Sequence, residues 1–166
     1  MTSLLRVGVL DGVRLHVAGA GPLGEAVERR AMQLGATSET SDLDVLVVDA
    51  AALFAATTGV DAVRAALDGA WEAIHPHAAG AKLILLLAPP PGHAHAEAAR
   101  AGLENVARTL SIEWARDEIR PVAIHPGAAT AAEEVAELAA FLASAAGAYY
   151  SGCRFDLTAP PAPLAG

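Results

Sequence analysis

Three groups of residues in this chain have types and spacings that could do chemistry. The first is Gly19-Ala-Gly21-Pro-Leu-Gly24. Glycines at this spacing let a backbone approach a phosphate closely, and a helix starting there offers free N–H groups and the positive end of its dipole. The same spacing also serves a tight strand-to-helix turn, in which glycine supplies positive φ and close packing, and this reading is favoured. The second group is His75-Pro-His77 with His93-Ala-His95. Imidazole moves protons near neutral pH, so His95 is a candidate acid/base. Metal binding is not expected, because neither pair has i, i+4 helical spacing and no cysteine or carboxylate cluster accompanies them. The third group, Ser111 and Cys153, are nucleophile types with no flanking base pattern, and both read as packing residues.

The elements that must position these residues follow from hydrophobic periodicity. Val13–Ala18 is a short β-type run ending at the glycine turn, and Glu25–Leu34 reads as a helix closed by Gly35. After a polar stretch, 37–42, the continuous aliphatic run Asp44–Asp49 predicts a strand buried on both faces. Helices follow at Val60–His77, Glu97–Arg116 and Glu133–Ala145, and strands at Lys82–Leu87, Pro121–His125 and Gly152–Leu157. Whether Ser3–Leu10 adds an edge strand beyond the Asp11-Gly12 turn is left open. Alternating strands and helices imply an α/β protein whose parallel sheet of about five strands is covered on both faces. A single domain is expected over 1–158, with a loose Pro/Ala-rich tail over 159–166.

From Ala96 to Gly127 the chain resembles the active-site helix and following strand of the short-chain dehydrogenase/reductase family. Asp44-Val-Leu-Val-Val-Asp-Ala-Ala51 is similar to the family strand ending Asn-Asn-Ala-Gly, and Ala66-Leu-Asp-Gly69 to its Asn-x-x-Gly. Pro126-Gly127-x-x-Thr130 is similar to the loop beside the nicotinamide, and residues 133–144 followed by Tyr149-Tyr-Ser-Gly152 to the C-terminal helix and last strand. The resemblance implies a three-layer Rossmann-like sandwich. It also implies a catalytic Asn, Ser, Tyr and Lys, which act as one proton relay. Here those positions read Ala66, Ala88 (or Pro89), Ala96 and Arg100. An alanine has no proton to give. Arg100 keeps a positive charge that could bind a phosphate or carboxylate, or simply bridge neighbouring surface groups. His95 could substitute for the tyrosine, although it stands one residue out of register.

The resemblance would make Gly19, Gly21, Gly24, Asp49 and Thr130 a weak or vestigial cofactor site. The glycine loop is one residue shorter than the family's. Two strands and helices that the family places before the Asn-Asn-Ala-Gly strand are replaced by the polar stretch, removing the usual ribose-binding carboxylate. Asp49 could take its place only if its strand lies beside the first. The helical lid expected after Thr130 is also missing. No cofactor is therefore expected, NAD or NADP if any.

A net charge of −8 argues against nucleic acid or an anionic membrane as partner. The lone Cys153 excludes an internal disulfide and fits a reducing cytoplasm. The two surfaces through which the family assembles, helices 60–77 and 97–116 and the segment 133–157, are retained. The expectation is a degenerate family member acting as a structural or regulatory subunit, in a homo-oligomer or with a full-length active dehydrogenase. The alternative is a minimal NAD(P)-dependent oxidoreductase with an unorthodox acid/base. A small-molecule-binding module is a third reading, resting on fold analogy.

Overall fold

The computed structural model describes residues 5–77 and 80–158. The expected tail, 159–166, lies outside the described residues. Among the described residues, six strands form one all-parallel sheet: β1 (Arg14–Ala18), β2 (Thr37–Ser38), β3 (Val45–Val48), β4 (Leu83–Leu87), β5 (Arg120–His125) and β6 (Arg154–Asp156). Their spatial order is β2-β1-β3-β4-β5-β6, with Leu15 opposite Val45, Val45 opposite Leu83 and Leu83 opposite Arg120. Parallel strands flanked by helices on both faces must be apolar throughout. Accordingly, every residue of β3 and β4 is buried.

The period of two divides these strands between two cores. Leu46, Val48, Ile84 and Leu86 face α3 (Gly59–Ile74) and α4 (Ala96–Glu113). Val45, Val47, Leu83 and Leu85 face α1 (Pro22–Gln33) and α5 (Ala132–Ala143). The three-layer α/β architecture expected from the sequence is what the chain forms.

Two elements differ from expectation. The polar stretch contains β2, whose Thr37 and Ser38 pair with Arg14 and Leu15, so the sheet has six strands rather than about five. Residues 39–44 then carry the chain across to the other flank of β1, where Asp44 is anchored by Arg14. A further helix, α2 (Ala50–Ala55), starts directly at the end of β3. Residues 7–12 form turns rather than an edge strand, and bury Leu10 beneath the end of α1.

Candidate functional site

The chain leaves β1 for β2 on one side and later returns to β3 on the other. The C-terminal ends of β1 and β3 are therefore a topological switch point, where open α/β sheets take ligands. Gly19, Gly21 and Gly24 lie at the end of β1, Asp49 at the end of β3, and Pro126 to Thr130 after β5. A cavity of about 300 Å³ opens there, lined among others by Pro22, Leu23, Asp49, Ala52, Pro126 and Thr130.

Asp49 organises this end of the sheet. Its carboxylate is 1% exposed and accepts from two backbone N–H groups, Gly24 at 2.8 Å and Ala52 at 3.0 Å. Gly24 is the third residue of α1 and Ala52 the third of α2, so one side chain caps two helices. The glycines make room for it. A Cβ on Gly21 would lie 2.6 Å from Cβ of Ala52 and 2.8 Å from Oδ2 of Asp49, and one on Gly24 would lie 2.8 Å from Cγ1 of Val17. Gly19 adopts φ +93°, which a side chain would strain. Pro22, the first residue of α1, has no N–H, and Glu25 N–H already bonds Gly21. Asp49 does end the strand beside the first, as a substitute ribose ligand would need to. Its carboxylate, however, lies under the glycine turn.

Sequence reasoning missed Glu39, which directly follows β2 and lies twenty positions after Gly19. Its N–H bonds Leu15 O, which sets it level with His16, three residues below Gly19. At about 3.3 Å per residue it stops roughly 10 Å short of the ligand end. The signal available was the offset from the first glycine.

Of the four expected relay positions, three lie in the core beneath α3 and α4, and Arg100 lies at the ends of β4 and β5. Ala66, Ala88 and Ala96 are each 0% exposed and belong to one apolar cluster with Leu86, Ala99 and Leu103. Arg100 is buried, with the exposed carboxylate of Glu97 3.5 Å from its Nε. It is 4% exposed, and its Nη1 donates to Pro89 O at 2.8 Å and Pro126 O at 2.9 Å, joining the ends of β4 and β5. Asp156 on β6, 4.0 Å away, extends the tie to a third strand. His125, the last residue of β5, is 2% exposed and has no partner for Nε2. Burial first, then the positive charges of Arg100 and Arg154, push its pKa down to about 4.

His95 is exposed, caps α4 in the left-handed region (φ 66°), and is not among the residues lining the cavity. His93 is also exposed and borders a separate hollow of about 230 Å³ beside Phe54 and Thr58. His75 stacks at an angle on Trp71, 5.5 Å between centroids, and His77 lies near His16. Among the described residues no group of three or more His, Cys, Asp or Glu is placed to hold a metal. Ser111 donates to Arg108 O, and burial raises the pKa of the Cys153 thiol. No described helix is long and apolar enough to cross a membrane.

The switch point, parallel order and paired helical layers define a doubly wound α/β class of fold. More narrowly, it is the fold of the short-chain dehydrogenase/reductases. BdcA from E. coli superimposes with a TM-score of 0.66 at 21% identity, covering 90% of this chain and 100% of that one. BdcA in complex with NADPH gives 0.68 at 19%, covering 90% and 94%. A short-chain dehydrogenase/reductase from Serratia marcescens gives 0.72 at 14%, covering 90% and 99%. No protein-family model and no curated protein matches the chain.

Proposed function

We propose that this chain is a catalytically degenerate homologue of the short-chain dehydrogenases, serving as a structural or regulatory subunit. It assembles with itself or with a full-length active dehydrogenase. One observation carries the reading: the positions matched to the relay are core. Ala66, Ala88 and Ala96 have no solvent contact, and the guanidinium of Arg100 is spent on two carbonyls. A site that works must present its donor to a substrate, whereas these residues fill space between α3, α4 and the sheet.

The cofactor turn points the same way. The residues present fit a pyrophosphate poorly: the cradle a Cβ would fill faces Ala52 and Asp49, and a buried carboxylate already holds the N–H of Gly24. The partner surface is argued from exposed apolar side chains. Val60, Trp71 and Ile112 are 59%, 47% and 75% exposed on the outer faces of α3 and α4, and Tyr149 is 92% exposed before β6. Among the small residues of α3 and α4, Ala66, Ala70 and Ala107 are buried against the chain's own sheet. Ala101 is exposed and Ala73 half-buried.

The test is sedimentation of the pure chain at micromolar concentration, with affinity purification from the native cell and identification of what accompanies it. An oligomer, or a co-purified full-length dehydrogenase, supports the reading. A monomer that turns over a nicotinamide cofactor refutes it. The second reading, a minimal NAD(P)-dependent oxidoreductase, draws on the likeness to a protein solved with NADPH and on the switch-point cavity. It requires saturable quenching of Trp71 or Trp114 fluorescence, or a raised melting temperature, on adding NADH or NADPH.

A further inference from the structure

We infer that the switch-point cavity binds a small, uncharged, apolar molecule and that Asp49 turns anions away from it. The site lies at the C-terminal ends of β1, β3 and β5, and its volume of about 300 Å³ matches the small end of ligand pockets. Its walls are mainly alanine and proline, and among the described residues no Lys, Arg or His lines it.

The polar side chains in the lining are already partnered. Both oxygens of Asp49 accept backbone N–H groups. The Thr130 hydroxyl accepts from Gly127 N–H at 2.8 Å and donates to Leu157 O at 3.3 Å. A polar ligand would lose hydration there and find the described lining side chains already partnered, while an apolar one gives up no hydrogen bonds. An anion would also stand beside a buried carboxylate with no cation in the lining to offset it. In other switch-point sites the helix N-terminus favours negative charge. Here the negative charge is supplied by the chain itself, and what remains open to a ligand is an apolar hollow. This inference does not depend on the assembly role proposed above.

The experiment is an amide-resolved NMR titration of the full chain with three probes: n-hexanol, hexanoate and NADPH. n-Hexanol should cause saturable shifts confined to Leu23, Ala51, Ala52, Ala55, Gly127 and Ala128. Hexanoate should bind at least about tenfold more weakly, and NADPH should give no saturable shift at these amides. Non-saturable or scattered shifts with n-hexanol overturn the inference, as does hexanoate or NADPH binding there as tightly. Ala55→Phe places a ring at the exposed end of α2 on the cavity rim. It should lower n-hexanol affinity at least about tenfold, and unchanged affinity in this folded variant counts against the cavity as the site. Should Ala55→Phe not fold, Ala128→Phe in the exposed loop after β5 makes the same test.

Discussion

Replacing Asp49 should cost more than any other single polar change near the glycine turn. Asp49→Ala removes the acceptor of two backbone N–H groups, Gly24 at 2.8 Å and Ala52 at 3.0 Å, at the starts of two helices. Losing one such cap costs about 1 kcal/mol. Leaving a buried N–H without a partner costs about 1–3 kcal/mol, and Gly24 is buried. The positive end of the twelve-residue α1 also loses its counter-charge. Together these give about 2–4 kcal/mol, which for a chain of this length is a fall of roughly 5–15 °C in Tm. Asp49→Asn retains one acceptor oxygen but turns an NH2 group toward the other donor, so it should lose about half as much. Urea unfolding followed by circular dichroism at pH 7 reads both variants, with the slope unchanged if only stability moves. A loss below about 0.5 kcal/mol for Asp49→Ala would refute the double cap.

Three further outcomes are expected. Arg100→Met should destabilise by about 3 kcal/mol, since it orphans the carbonyls of Pro89 and Pro126, and Arg100→Lys should recover only part of this; urea midpoints decide. His125 has its pKa pushed down to about 4, so the folded chain favours the neutral ring. Its contribution is then complete above about pH 6.5 and is lost as pH falls from there toward 4, a change on the order of 3 kcal/mol. A stability–pH profile in which wild type and His125→Leu run parallel over that window would contradict it. Glu118 sits at φ 59° after the turn that follows α4, so Glu118→Gly should stabilise the fold by about 0.5–1 kcal/mol, measurable by calorimetry.

What was legible in the sequence was whatever burial writes as a pattern. β3 and β4 are unbroken aliphatic runs because both faces are covered. α4 is long enough for its 3.6-residue period to be unmistakable. β2 could not be read, since two polar residues at a sheet edge carry no alternation. α2 is under two turns and hides inside an alanine run. The start of α1 was placed three residues late, at Glu25, although Pro22 is a first-turn residue. Ala66, Ala88 and Ala96, the positions that the resemblance aligns with a proton relay, fill space in the core. Their sequence did not show that the space is filled, because alanine is equally at home lining a cavity or a core. Asp49 was noticed for its charge, whereas its role depends on a contact twenty-five residues away with Gly24. Arg100, expected at a surface, is buried because two strand ends converge on it.

Whether the positions that the resemblance aligns with a proton relay serve as core is measured most directly by the unfolding free energy of Ala96→Tyr, assayed together with NADPH oxidation. Ala96 is 0% exposed among Ala66, Ala88 and Ala99, so a phenol ring there overpacks the helix against the sheet. The expected result is a loss of about 1–3 kcal/mol or more and no gain of cofactor turnover. A tyrosine accepted without loss of stability, with NADPH oxidation appearing, would mean that the slot still opens on a working site.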